Sequence, residues 1–435
     1  MTGAARLADA PRSELKARIH VRLVESLDLM AAQKLPVNEL RDECLRRVDA
    51  LVAGEHTPLT TGEKQQLLRE VMDEIFGLGP LEELLRDTAV TDILVNGCQQ
   101  IYIERGGRLT LTPTRFRDDR HLLQVIQRIA SGVGRRIDES SPMLDARLKD
   151  GSRVNAIIPP LALDGPAMSI RRFCGTKVDS DRMVELDSWT RDMATFMEAA
   201  VRSRANVIVA GGTGTGKTTL LNVLSKWIPA GERVITIEDA AELNLQRDHV
   251  VTLETRPPNI EGKGEVTQRD LLKNTLRMRP DRIIIGEVRG GESLDMLQAM
   301  NTGHEGSMTT VHANTPRDAL RRIENMVAMA GMNWPVQVIR DQMASTLDLV
   351  VHAQRLTGGR RKVTCIMEIT GMERDTILTQ DIYRFRQTGL DKDGNAVGAF
   401  EACGVRPKLL DRILREGFTL DPAIFAKPFN ASHGR

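Results

Sequence analysis

Residues 211–218 read Gly-Gly-Thr-Gly-Thr-Gly-Lys-Thr, and the apolar run 206–210 stands directly before them. That order leaves little freedom of fold, because a buried strand has to end in a glycine loop and the loop has to open a helix. Gly211, Gly212, Gly214 and Gly216 let the backbone curl until successive N–H groups point inward, at a distance a Cβ would obstruct. Thr213 and Thr215 complete the loop, Lys217 is placed to reach β- and γ-phosphates, and Thr218 offers a hydroxyl to Mg²⁺. Beyond Thr219, the residues Leu220, Leu221, Val223 and Leu224 fall at helical spacing. A helix N-terminus with its partial positive charge should therefore face the phosphates. The spacing predicts a nucleoside triphosphate site.

A chain of 435 residues exceeds what one core normally supports, so two or three domains are expected. Sixty basic residues against fifty-nine acidic ones, well interspersed, argue against a dedicated nucleic-acid surface. Cys44, Cys98, Cys174, Cys365 and Cys403 are scattered without a C-x-x-C pair, which points to neither zinc nor a disulfide framework and suits the reducing cytoplasm. No apolar run approaches the length of a membrane span, and residues 1–12 lack a signal-peptide centre.

Residues 13–76 read as three amphipathic helices, with Leu15, Ile19, Leu23 and Leu27 four apart, a second helix from Pro36 to about Val52, and a Thr60/Glu63 capping box opening a third. Residues 1–76 are thus expected to form a helical bundle. From 77 to 174 the pattern is that of a small α+β domain: a short strand at 92–95, a hairpin about Gly106-Gly107, a helix over 120–130, and strands near 153–158 and 167–173. Residues 175–188 carry little apolar periodicity and are expected to be a hinge linker. From 189 to about 350 apolar strands alternate with amphipathic helices, as in a doubly wound α/β sheet, and a C-terminal extension to 435 adds strands at 363–369 and 377–385 and a helix near 407–416.

Two further strands should end at the same crevice, because strand C-termini converge there in an open parallel sheet. One, 233–237, ends in Glu238-Asp239; the other, 282–285, ends in Gly286-Glu287. Glu287 is expected to position the attacking water and accept its proton, and Glu238 to hold Mg²⁺ or its water shell, with Asp239 behind it. A third strand at 308–311 delivers His312 to the same edge. A guanidinium is also needed for the charge that develops on the γ-phosphate oxygens. The candidates are Arg256, Arg277, Arg279, Arg153, Arg171 and Arg172.

Taken as a set, 211–218, Ile235-Thr-Ile-Glu-Asp239, Ile284-Ile-Gly-Glu-Val-Arg-Gly-Gly291, and Gly303-His-Glu-Gly306 through His312-Ala-Asn-Thr315 resemble the Walker A, Asp, Walker B and His boxes of the secretion ATPase superfamily. Glu368-Ile-Thr-Gly-Met372, Gln380-Asp-Ile-Tyr383 and Gly404-Val-Arg-Pro-Lys408 are similar to the CpaF-type branch, the assembly motors of tight-adherence (Tad, Flp) pili. Only residues 1 to about 60 fall outside the resemblance. It implies a RecA-like P-loop domain behind a small PAS-like α+β domain, and a ring-shaped homohexamer hydrolysing ATP with Mg²⁺. It also implies a cytoplasmic motor, peripheral to the inner membrane, working on pilus platform proteins and other parts of the pilus machine.

By the same resemblance Lys217 and Thr218 meet ATP and Mg²⁺, Glu287 is the catalytic acid, Glu238 serves metal and water, His312 senses nucleotide, and Arg153, Arg171 or Arg172 contacts the γ-phosphate. The zinc-ligating cysteines of type II secretion motors and the signature of dedicated retraction motors are both missing, which leaves retraction open. Other readings stay on the page: a type IV secretion or DNA-transfer ATPase, a nucleotide-gated scaffold with little turnover, and, disfavoured by the balanced charge, a nucleic-acid translocase.

Overall fold

The computed structural model describes residues 37–54, 60–172, 178–245, 247–258, 262–331 and 334–426, with Leu15, Arg18, Ile19, Arg22 and Leu23 of the preceding segment. The chain divides into two compact units, Met1–Cys174 and Gly175–Arg435.

The first unit begins with α1 (Val37–Ala53) and α2 (Thr61–Phe76). Thr60 and Glu63 form the expected capping box, each side chain accepting from the other's backbone N–H. Cys44, Val48 and Val52 of α1 bury against Leu67, Val71 and Met72 of α2, with Leu15, Ile19 and Leu23 in the same core. The four-residue spacing read from the sequence is thus the spacing of one buried face; Leu27 and Pro36 lie outside the described residues.

After α3 (Leu81–Arg86) come β1 (Val90–Asn96), β2 (Gln100–Arg105), β3 (Arg108–Leu111), α4 (Asp119–Gly132), β4 (Met143–Arg147), β5 (Arg153–Ile157) and β6 (Ala167–Arg171). The strands make an antiparallel sheet in the order β3-β2-β1-β6-β5-β4. Leu122, Val125, Ile126 and Ile129 of α4 bury in the same core as Ile93, Val154 and Ile170 of the sheet. The edge strand β4 has no clear signature: its burial alternates weakly and Met143 is exposed.

The second unit opens with α5 (Ser180–Glu185), a helix inside the stretch expected to be a linker; Met183 draws it into the core beside Trp189. There follow α6 (Arg191–Arg202), β7 (Val207–Gly211), α7 (Lys217–Ser225), β8 (Val234–Glu238), β9 (Val250–Glu254), α8 (Gln268–Thr275), β10 (Arg282–Ile285), α9 (Glu292–Asn301), β11 (Met308–His312), α10 (Pro316–Ala328), α11 (Val336–Thr346), β12 (Leu349–Arg355), β13 (Arg361–Glu373), β14 (Thr376–Leu390), β15 (Ala396–Ala402) and α12 (Leu410–Arg415).

Their single nine-stranded sheet runs β15-β14-β13-β12-β7-β11-β10-β8-β9. The strands from β12 to β9 pair in parallel, and β13 to β15 are added antiparallel. The C-terminal extension is thus a continuation of the sheet that carries the glycine loop. Alternation splits each central strand between two cores: Val207 and Val209 face α6 and α7, while Ile208 and Ala210 face α9, α10 and α11. Burial on both faces explains why these strands read as unbroken apolar runs.

Two buried polar residues align the strand starts. Asn206 accepts from Gly306 N and Ser307 N at 2.8 and 3.1 Å and donates to Thr346 O at 2.8 Å, tying β7 to the approaches of β11 and β12. Arg282 is wholly buried, with Nε 2.5 Å from Glu232 Oε2 and Nη1 2.7 Å from Val201 O. Gly306 is required beside it, since a Cβ there would stand 2.6 Å from Arg282 Nη1.

The segments that resemble the CpaF-type branch converge on one carboxylate. Glu368, buried, accepts from Gln380 Nε2 at 2.6 Å, Lys408 N at 2.9 Å and Leu409 N at 2.6 Å.

Candidate functional site

Every residue of β7 is buried, so the loop that leaves it has a fixed origin at the C-terminal edge of the sheet. A Cβ on Gly211 would collide with the carbonyl oxygen of Ala353 and lie 2.7 Å from Thr215 Oγ1. Gly216 caps α7 with φ of 94°, a left-handed conformation that glycine adopts without a Cβ penalty. Lys217 is therefore the first residue of α7, and Thr218 the second. Within the loop, Gly212 O accepts from Thr215 Oγ1 at 3.0 Å and from Lys217 Nζ at 2.9 Å. Thr213, Gly214 and Thr219 are exposed along its outer side.

Glu287 is set by hydrogen bonds to the strands on either side. Gly286 N donates to Ile237 O of β8 at 2.9 Å, Thr310 Oγ1 of β11 donates to Gly286 O at 2.7 Å, and Val288 N donates to Thr310 O at 3.1 Å. The carboxylate then lies 3.2 Å (Oε1) from His312 Nε2 and 2.7 Å (Oε2) from an Arg289 Nη. His312 Nε2 is in turn 3.2 Å from Lys217 Nζ. Lys217, His312 and Glu287, from three separate motifs, are thus one contiguous polar chain.

Burial lowers the pKa of Lys217, and the charge of Glu287 opposes that shift. Burial, and then the Lys217 charge, depress His312 below its usual 6.5, again against the pull of Glu287. A neutral imidazole at that position can accept one hydrogen bond or donate one, and so can report which partner is present.

Glu238 ends β8 and is 3% exposed. Its Oε1 accepts from Glu242 N and Leu243 N, both at 2.9 Å, so it shapes the turn that follows it. Asp239 receives Gln268 Nε2 at 2.9 Å and lies 3.4 Å from Arg289 Nη1.

Two arginines that the structure brings to this edge were not singled out from the sequence. Arg289 bridges Glu287 and Asp239, and its position two residues after Glu287 was the available signal. Arg361 of β13 donates from Nε to Gly214 O at 2.9 Å across 147 positions of sequence, with no local signal. Arg256 is engaged by its own loop, donating to Gly264 O at 2.7 Å, and Arg277 and Arg279 follow α8. In the first unit Arg153 and Arg171 are register partners on β5 and β6, and Arg171 pairs with Asp92 at 3.0 Å. Arg172 donates to the carbonyls of Asp87 and Val90.

Two clefts adjoin the loop. One of about 410 Å³ is lined by Gly212, His312, Asn314, Arg321, Arg322 and Asn325. The other, about 230 Å³, lies between Met183 and Leu186 on one wall and Thr215, Gly216 and Thr219 on the other. The first cleft is polar, with Asp318 beside its two arginines, and the second is mixed, with Val178, Leu220 and Val363 beside Arg361 and Lys362.

A nine-stranded RecA-like sheet with this loop, two acids and a histidine at its edge defines a P-loop nucleotide-site class. Residues 74–388 match the family described as type II/IV secretion system protein, and the chain belongs to that family. A Mycobacterium tuberculosis protein provisionally named for conjugal transfer is 37% identical over 302 residues, 68% of this chain and 85% of its own. The type IV secretion system protein VirB11 of Bartonella quintana is 30% identical over 325 residues, covering 66% and 90%. Among solved structures, the pilus retraction motor PilT with bound ADP shares the fold at a TM-score of 0.50 and 19% identity, over 78% of this chain and 85% of PilT.

Proposed function

We propose that this chain binds ATP with Mg²⁺ at residues 211–219 and hydrolyses it, and that it works as a homohexameric motor assembling a Tad-type pilus from the cytoplasmic face of the inner membrane. The observation that carries the hydrolytic reading is the Glu287–His312–Lys217 chain, with 3.2 Å at both steps. A carboxylate held by two strands at the terminal-phosphate end of the loop is placed to orient a water and take its proton. Lys217 would hold the β- and γ-phosphates and Thr218 the metal. Glu238, whose Oε1 is committed to the 242–243 turn, suits a role behind the metal's water shell better than direct ligation. Arg153, Arg171 and Arg172 are proposed as γ-phosphate contacts, and the cleft beside Met183 and Leu186 as the seat of the base.

The pilus reading is supported by the three C-terminal segments gathered on Glu368. A second reading, an ATPase of a type IV secretion or DNA-transfer system, is favoured by the names of the relatives. Among the described residues no helix is long and apolar enough to cross a membrane.

Purified chain diluted through a concentration series, with turnover and oligomer mass read on the same samples, tests the motor. Turnover per chain that rises as a hexamer forms supports a site completed between subunits; equal turnover by a monomer overturns it. Deleting the gene and scoring surface pili against DNA transfer separates the two cargos.

A further inference from the structure

The chain enters its second unit through residues 178–189, and one strand holds both that segment and the phosphate loop. Successive side chains of a strand point to opposite sides, and β13 uses this to grip two things at once. Arg361 Nε donates to Gly214 O at 2.9 Å. Its neighbour Lys362 is 3% exposed, with Nζ 2.7 Å from Asp187 O and 2.6 Å from Asp187 Oδ2. The same ammonium stands 4.8 Å from the ring centre of Phe385 and 5.0 Å from that of Phe400, a geometry in which both ring faces attract a cation. Val363 N then donates to Ser188 O at 2.8 Å.

The gripped segment ends its helix in a left-handed turn. Asp187 has φ of 54°, a conformation that aspartate adopts more readily than most non-glycine residues. Trp189 donates to Ser180 O at 3.2 Å and stacks at 5.9 Å on Trp227, just beyond the phosphate-loop helix. The cleft of about 230 Å³ separates the segment from the loop, and Arg361 and Lys362 line it from the side.

We propose that Arg361 and Lys362 are a coupling element: Arg361 is a positioning residue for the phosphate loop, Lys362 latches Asp187, and nucleotide occupancy is thereby linked to the conformation of residues 178–189. The inference rests on the nucleotide-binding reading above. A nucleotide whose phosphates reorganise the loop moves Gly214 O, and β13, paired with β12 from Arg361 through Val363, carries that strain to Asp187 and Ser188. The linkage is reciprocal, so altering the latch changes nucleotide affinity.

A double-mutant cycle on the full chain tests this, with Arg361→Gln and Asp187→Asn, since Arg361 meets Gly214 and Asp187 meets Lys362. Asparagine tolerates the left-handed conformation, so Asp187→Asn removes chiefly the charge. Binding of a fluorescent ADP is measured for the wild type, both single variants and the double variant. Each single variant is expected to change affinity by about fivefold or more, with the double departing from the product of the two. Effects that multiply to within about twofold, or no effect of either, overturn the coupling. Should a variant not fold, amide exchange of the wild type decides: slower exchange at residues 183–188 with ADP supports the linkage, and unchanged exchange sinks it. A wild type that binds no ADP removes the nucleotide reading itself, a result distinct from an additive cycle.

Discussion

Gly286 and Glu238 share one space: a Cβ at 286 would lie 2.8 Å from Glu238 Cγ and 3.2 Å from its Oε1. The missing side chain at the end of β10 is what allows a buried glutamate at the end of β8. Gly286→Ala is expected to push Glu238 away from Glu242 N and Leu243 N and to cost about 1–3 kcal/mol, as overpacking does. Urea unfolding would read the loss, and a stability equal to wild type would show that Glu238 can move aside freely.

Lys217 and Glu287 occupy opposite ends of one polar chain and should fail differently. Lys217→Ala removes the buried cation and is expected to abolish ATP binding, whereas Glu287→Gln should bind ATP and lose about 10²- to 10⁴-fold in turnover. Calorimetric binding and phosphate release, measured on both, separate the two; near-normal turnover in Glu287→Gln would move the base elsewhere.

His312 titrates below its usual 6.5 in the folded protein because it is partly buried and stands beside the Lys217 charge. A depressed pKa means that the unfolded chain binds the proton first as the pH falls. The folded state is then penalised from about pH 6.5 downward through the lower folded pKa, and its full stability is present above that window. Wild type is therefore expected to lose thermal stability more steeply between pH 6.5 and pH 5 than His312→Gln. Parallel melting-temperature profiles of the two would exclude the shift.

Glu232 is the counter-ion of the wholly buried Arg282, with Arg204 at 3.0 Å on its other oxygen. Burial already lowers the pKa of Arg282, and Glu232 opposes that. Glu232→Ala strands the guanidinium, and a loss of about 3–5 kcal/mol is expected. Because Arg282 also aligns the Gly303–Gly306 turn that leads into β11, ATP turnover should fall with it. A change below about 1 kcal/mol by denaturant titration would mean that backbone carbonyls suffice to hold the charge.

Much of this protein follows from local pattern. The glycine loop between a buried strand and a helix, the Thr60/Glu63 capping box, the hairpin at Gly106-Gly107 and the acids at the ends of β8 and β10 all rest on interactions within a few residues, which is why they could be read directly. The sheet edge β4 could not, since its weak alternation leaves no pattern to read, nor could the helix α5, which owes its place to a core built from residues far along the chain. The junction of Lys217, His312 and Glu287 was anticipated only as three strand ends meeting at one crevice, and their separations depend on register across β7, β11 and β10. Arg361 on Gly214 and Lys362 on Asp187 carry no sequence signal at all, because their contacts span 147 and 175 positions. Local spacing determined which chemistry this chain carries. Which charged groups touch it was decided by tertiary structure, because a long flexible side chain takes its partner from whatever the fold brings within about 3 Å.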